Sequence, residues 1–307
     1  MDLTPSNLDF LFYGFSTRFQ QGYDLAKTYY PRFAMEIPSS TRENHYGWLG
    51  KIPQVREWLG ERVFNNITAY SYTISNKDFE ITLEVPRNDI QDDQVGLYGP
   101  ISEMNGQAMK QWPDNLMTQL LRNGQLNLCF DGQNFFDPNH PIAPGDPTKG
   151  TYSNYYTGTP LTPANYTNVR QTMMSIIGED GNPLGIMPDL IVVPPQLEDA
   201  ARKILHADLI VQSVAGNGTA AVTNTLKGSA EILVDPRLAA DPTTWYLLDT
   251  TRPIKPFIFQ LRQAPVFVSL TSPDDSNVFN RKVFVWGADS RGNAGYTLPF
   301  LAAKAVG

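Results

Sequence analysis

Cysteine is almost missing from this 307-residue chain: Cys129 stands alone, which excludes a disulfide framework and any cysteine-pair metal site. Histidine is scarce too. The three present, His45, His140 and His206, lie far apart and no pair has metal-ligand spacing. Charged residues make up 18%, below the usual quarter, with a net charge of −7 and an isoelectric point near 5.0. That balance does not suit a dedicated nucleic-acid-binding surface. The longest apolar runs, such as Leu190–Val193, are far short of the roughly 20 residues needed to span a bilayer. Met1 is followed by polar and aromatic residues rather than a basic start and an apolar run, so no signal peptide is read here. Gly-x-Ser-x-Gly, Gly-x-x-x-x-Gly-Lys and a strand-borne Gly-x-Gly-x-x-Gly are all lacking, as are internal repeats. No nucleophile, phosphate or dinucleotide chemistry is implied. The expectation is a non-catalytic protein of a reducing compartment, without cofactor, metal or membrane contact.

What the chain does have is length enough for a large core, with evenly spread proline and glycine. The most ordered stretch is residues 99–124. Ile101, Met104, Ala108, Trp112, Leu116 and Leu120 recur every three or four residues, the stripe of an amphipathic helix. Pro100 suits the first turn and Gly124 the stop, giving a helix roughly 35 Å long. Pro113 falls inside it, so a kink near Lys110 or two abutting helices is expected.

Before that helix the sequence is unusual. Ser6 is placed to cap a helix with Leu8, Leu11, Phe12, Phe15 and Phe19 on one face. Residues 28–42 are aromatic, extended and broken by proline, an arm that needs something to lie against. Residues 46–66 hold Trp48, Leu49, Ile52, Trp58, Leu59, Val63 and Phe64 between Gly47, Gly50, Gly60 and Pro53. Two alternating runs, 69–75 and 79–85, then read as a β-hairpin with a polar tip at 76–78. Such an excursion cannot bury two tryptophans by itself. Arg56 and Arg62 flank these tryptophans with Glu57 and Glu61; arginine stacks on indole and forks onto carboxylates, as at protein interfaces.

Asp131, Asp137 and His140 are the one tight group of possible metal ligands or acid/base residues, which would suit a metal-dependent hydrolase. Asp-Gly and Asp-Pro are equally turn-forming pairs, and the turn reading is preferred. Further on, strands are read at 188–193, 231–234, 244–248, 257–261, 266–270 and 281–286, with helices at 168–177 and from Pro195. Residues 293–303 read as a strand returning to the main sheet. The class is α+β, with a central αβ insertion.

The order of segments resembles the major head (capsid) subunits of Mu-like tailed phages and prophages. The residues that carry the likeness are Trp48-Leu49-Gly50, Pro53, Arg56, Trp58, Gly60 and Arg62, then Asp131-Gly132, Phe135-Phe136 and His140. At the end come Gly287 and Arg291-Gly292-Asn293-Ala294-Gly295-Tyr296. The resemblance implies the tailed-phage capsid fold. It implies an N-terminal arm at 1–45, an extended loop at 46–85 and a peripheral domain at 86–165 and 252–307 built on the spine helix 99–124. Residues 166–251 would be the axial domain. It further implies self-assembly as hexamers and pentamers of an icosahedral shell around double-stranded DNA, which is held as non-specific contents. Trp48, Leu49, Pro53, Arg56, Trp58, Gly60 and Arg62 would make contacts between subunits. A separate scaffold and protease, a portal and decoration proteins are the implied partners. An encapsulin-like compartment is the alternative within the same fold.

Overall fold

The computed structural model describes residues 3–47, 72–92, 94–144, 146–214, 218–272 and 274–307. In chain order the elements begin with α1 (Pro5–Leu25), β1 (Ala34–Pro38), β2 (Glu43–Tyr46), β3 (Tyr72–Ser75), β4 (Lys77–Pro86) and α2 (Arg87–Gln91). The long helix α3 (Gly99–Asn123) follows, then the short strands β5 (His140–Pro141), β6 (Thr151–Tyr152) and β7 (Tyr155–Tyr156). A compact αβ stretch holds α4 (Pro163–Met174), β8 (Leu190–Val193), α5 (Glu198–Leu205), β9 (Leu209–Val214), β10 (Gly218–Thr223), β11 (Glu231–Val234) and β12 (Thr244–Leu248). The chain closes with β13 (Phe257–Leu270), α6 (Ser276–Arg281), β14 (Val283–Tyr296) and β15 (Ala302–Val306).

The body rests on two sheets among the described residues. One has the order β1-β13-β14-β4, with β1 parallel to β13 and the other pairs antiparallel. The second has the order β11-β8-β12-β15-β7 and mixes both senses. Strands β8 and β12 are buried at every position, as an apolar run with helices on its flanks requires. Between the sheets lies an aromatic core in which Phe135 stacks on Tyr296 with ring centres 4.4 Å apart, and Phe257 packs beside both.

Helix α3 is one unbroken element through Pro113. The expectation of two abutting helices is therefore corrected. A proline inside a helix costs about 3 kcal/mol, but here its ring is buried and the turns on both sides are packed. The expected apolar stripe needs correction in its first half. Ile101 is 41% and Met104 66% exposed, and Ala108 is exposed as well. The face that is buried there is offset by about one residue: Ser102, Gly106, Met109 and Pro113. Leu116 is buried and Trp112 and Leu120 are partly so, joining the aromatic core.

Small residues explain the offset. Helix α1 runs alongside α3 in the same sense, and the backbones meet at Gly22 and Gly106. A Cβ on Gly106 would lie 2.0 Å from the Phe19 carbonyl oxygen, and one on Gly22 would lie 1.9 Å from that of Glu103. The Ser102 hydroxyl donates to the Phe15 carbonyl at 2.7 Å. Close approach of this kind is chosen by what is missing from the side chain, so a pattern of apolar residues does not reveal it. Thr4, not Ser6, caps α1, with its hydroxyl accepting from the Asn7 amide.

Two pairings differ from the sequence reading. Strands β3 and β4 flank Asn76 but do not pair with each other: β3 pairs with β2, and β4 with β14. The hairpin tip at 76–78 is thus a crossover between two ladders. Residues 293–303 are not one strand either. Strand β14 ends at Tyr296, a 3₁₀ turn spans Pro299–Leu301, and β15 enters the other sheet between β12 and β7. A boundary at 251/252 accordingly runs through the second sheet, because β15, after it, pairs with β12, before it.

Candidate functional site

The segment singled out by its tryptophans springs from a stem that the structure describes. Strands β2 and β3 form an antiparallel ribbon from Glu43↔Ser75 to Tyr46↔Tyr72. The segment between them, with Trp48, Leu49, Pro53, Arg56, Trp58, Gly60 and Arg62, lies outside the described residues. The stem itself is fixed firmly. Gln260, fully buried on β13, accepts from the Tyr46 hydroxyl at 2.8 Å and donates to Asn76 at 2.7 Å and to the Ile74 carbonyl at 3.2 Å. On β14, Asn293 donates to the Ser75 carbonyl at 2.7 Å.

The terminal Arg-Gly-Asn-Ala-Gly-Tyr run acquires a physical reason from this. A Cβ on Gly295 would lie 2.4 Å from the Ile74 side chain, so glycine lets the stem press against β14. Gly292 does the same for the Gln260 carbonyl and the Trp112 ring. Tyr296 reaches the end of α3, donating to the Leu120 carbonyl at 3.0 Å and accepting from Asn127 at 3.1 Å. A single short motif thus joins the stem, the sheet and the spine helix.

The arm docks on its own chain. Asp114, buried on α3, accepts from the amides of Tyr29 and Tyr30 at 2.9 and 2.8 Å. Its second oxygen has no hydrogen bond and faces Arg237 at 3.9 Å. Burial pushes the Asp114 carboxyl above the usual range, against the pull of the two amides and Arg237; nearby Asp235 adds to the rise. Asp235 in turn accepts from Thr118 at 2.6 Å and from the Arg237 amide at 3.0 Å. Arm, spine helix and the 166–251 region meet at this node.

At the far end of α3, Lys304 of β15 donates to the Arg122 carbonyl at 2.9 Å and to Gln125 at 2.6 Å. Its ammonium lies over the Tyr246 and Phe136 rings, and burial lowers its pKa to about 8. The adjoining cavity, about 310 Å³, is lined by Arg122, Asp241, Tyr155 and Lys304 among others.

The candidate cluster is rearranged. His140 and Asp131 do meet, at 2.7 Å, but Asp137 is turned away and accepts from the Asn139 amide in a turn. Cys129 takes the third position, with its sulfur 2.8 Å from Asp131. No open cleft with a candidate nucleophile is described there; His140 is fully buried.

What remains on the outside is apolar surface that sequence reading left out. Val266, Val268 and Leu270 are exposed on the half of β13 that β1 does not cover, and Phe279 on α6 is 81% exposed. Alternation along 266–270 was the available signal. With Ile101, Met104, Phe10 and Tyr13, these are side chains that one copy of the chain leaves uncovered. No described helix is long and apolar enough to cross a membrane.

A two-layer body with a long spine helix, an arm, a stem leading to an aromatic segment and unburied apolar patches defines the fold of tailed-phage shell subunits. Solved structures agree. The chain matches the procapsid of bacteriophage JBD30 with a TM-score of 0.60 and 32% identity, covering 99% of this chain and 76% of that one. A second match is the JBD30 capsid decorated with minor capsid protein trimers, at TM-score 0.57 and 27% identity, covering 72% and 94%. The virus-like particle from Pyrococcus furiosus shares the fold at TM-score 0.51 and 9% identity, covering 95% and 98%.

The chain belongs to the family of the Mu-like prophage major head subunit gpT, whose pattern matches residues 8–163, 154–238 and 239–306. It is 32% identical to the major capsid protein of Escherichia phage Mu over all 307 residues, which is 76% of that protein. It is 30% identical to the Mu-like prophage FluMu major head subunit of Haemophilus influenzae over 295 residues, 96% of this chain and 71% of that protein. It is a major capsid protein of a phage head, a structural component of the virion and not an enzyme. The hydrolase reading of Asp131, Asp137 and His140 is set aside on both counts, and so is the cellular-compartment alternative.

Proposed function

We propose that the segment 48–71 is the clasp by which one copy grips its neighbour, and that copies so joined form the hexamers and pentamers of the shell. The observation that supports this reading is the stem. A ribbon anchored by Gln260, Asn293 and the Gly295 contact holds both ends of the segment rigidly against the body. The sequence it presents from there carries Trp48 and Trp58 with Arg56 and Arg62, the residue types that dominate binding energy at interfaces. Leu49, Pro53 and Gly60 would shape the same contact. Heterologous contacts of this kind close into rings, and small changes in angle separate fivefold from sixfold closure. In that arrangement residues 166–251 lie about the ring axes and residues 86–165 with most of 252–307 at the periphery. The apolar side chains on β13, α6 and the outer face of α3 supply the remaining contact area. Scaffold, protease, portal and decoration proteins are the further partners of such a shell, and its acidic charge limits adhesion to the DNA inside.

The test is Trp58→Ala, followed by electron microscopy and light scattering beside the wild type, with any scaffold the wild type needs. The expected outcome is soluble, folded subunits that fail to close, since a lost aromatic anchor costs about 2 kcal/mol or more at every contact. A variant that unfolds as a subunit, or one that assembles normally, overturns the clasp.

A further inference from the structure

The side chains of Cys129, Asp131 and His140 are buried together in the long connection between α3 and α4, where the described structure has only two-residue strands and one 3₁₀ turn. A connection of that length with so little ladder needs something else to fix it. The ring of His140 is held on three sides. Its Nε2 lies 3.2 Å from the Phe135 carbonyl oxygen, its Nδ1 lies 2.7 Å from an Asp131 carboxylate oxygen, and Tyr152 stacks on its face. A carbonyl oxygen and an ionised carboxylate both only accept, so the single N–H of a neutral imidazole serves one of them and leaves a ring lone pair facing the other. A cation beside the ring, a second proton or a metal ion, resolves that conflict. The other Asp131 oxygen accepts from the Gln133 amide at 3.0 Å and faces the Cys129 sulfur.

We infer that this position is a structural zinc site, with Cys129 sulfur, an Asp131 carboxylate oxygen and His140 Nδ1 as ligands. The three ligand atoms lie within 4.8 Å of one another. Zinc bonds of about 2.0–2.3 Å place neighbouring ligands about 3.3–3.7 Å apart, so side-chain shifts of about 1 Å open the present hydrogen-bonded contacts into a coordination shell. The donor set is one thiolate, one imidazole and one carboxylate, which suits zinc and not magnesium or calcium. The Phe135 carbonyl supplies what ligating histidines ordinarily have, an acceptor on the far ring nitrogen that fixes tautomer and orientation. On binding, the cysteine S–H proton is released to solvent. The ion pins the start of the connection, at Cys129, to its middle, at His140, beneath Tyr152. Its role is to fix shape, and it rests on none of the assembly contacts proposed above.

The test uses soluble full-length subunits purified without chelator. Elemental analysis is expected to give about one zinc per chain. Replacement by cobalt is expected to give a thiolate-to-metal charge-transfer band, lost in Cys129→Ala. EDTA should lower the melting temperature of the wild type and leave that of Cys129→Ala unchanged. Asp137→Ala, which touches a turn and not the cluster, should bind as the wild type does. Protein without zinc, showing no cobalt band and no response to EDTA, overturns the inference; the cation between Asp131 and His140 is then a proton. Retention of the band in Cys129→Ala overturns the ligand assignment. Because the cobalt spectrum is read on the wild type, the result stands even where a variant fails to fold.

Discussion

Replacing Gly106 by alanine adds a single methyl group at the place where α1 and α3 come closest. That carbon would lie 2.0 Å from the Phe19 carbonyl oxygen, 2.8 Å from the Tyr23 nitrogen and 2.9 Å from the Phe19 carbonyl carbon. All three are backbone atoms, so no rotamer change relieves the contact. The helices have to part by about 1.4 Å to reach ordinary van der Waals distance. A gap of even 0.5–1 Å forfeits roughly a quarter to a half of each contact along the seam. Overpacking of this kind costs about 1–3 kcal/mol. Separation also breaks the buried Ser102 to Phe15 hydrogen bond, for about 1 kcal/mol more. Partial withdrawal of Leu11, Phe15 and Phe19 from their buried positions acts in the same direction. The expected loss is therefore about 3 kcal/mol. A control lies on the partner helix α1: a Cβ on Gly14 meets nothing within 4 Å. Gly14→Ala should be neutral or stabilising by up to about 1 kcal/mol, through helix propensity alone. Urea denaturation of soluble subunits measures both, and limited proteolysis reports whether α1 is the part that loosens. Equal stability of the two variants would refute the close-contact account of the arm.

Two further predictions concern charge. Lys304 has a folded-state pKa of about 8 against an ordinary 10.5, so between these values the unfolded chain holds more protons than the native one. Its contribution to stability accordingly rises with pH across that window, by about 2–3 kcal/mol in all. Lys304→Met should abolish the rise, and the comparison is cleanest below pH 10, before tyrosines titrate; a variant whose stability climbs as steeply as the wild type's would contradict the burial argument. Asp114 carries the opposite sign. Its raised carboxyl keeps its proton in the native state after the unfolded chain has released it, so its contribution falls as pH rises above the ordinary carboxylate range. Asp114→Asn keeps an oxygen for the Tyr29 and Tyr30 amides and should gain on the wild type through that rise; parallel stability curves for the two proteins would show that the buried charge is not felt.

How far the sequence spoke for the structure depended on the physics involved. Periodicity located α3 to within a residue of each end and placed the strands at 231–234 and 244–248 without error. Burial there follows hydrophobicity, which a period reports directly. It misplaced the buried face of α3 from Ile101 to Ala108, because that face is made by Ser102 and Gly106, which a hydrophobic pattern counts as neutral. The hairpin at 69–85 failed for another reason. Alternation says that 72–75 and 79–85 are strands, but not which strands they pair with, and the partners lie some 30 residues before and some 200 after in the chain. Of Asp131, Asp137 and His140, the first and last meet, while Asp137 sits in a turn and Cys129 lies beside Asp131 instead. A lone cysteine carries no spacing signal of its own. Lys304 and Asp114 were not singled out at all, since ordinary lysines and aspartates are solvated and only burial makes these two exceptional.

The place of β15 has a bearing on when a copy becomes competent to build anything. Ala302–Val306 is inserted between β12 and β7, in the middle of the order rather than at a rim. A chain lacking β15 would have β11, β8 and β12 paired and β7 left without its partner. The seam closes only when Ala302–Val306 is in place, so the keystone of the second sheet is a segment far in sequence from the strands it joins, and a copy that lacks it presents an unfinished body to its neighbours.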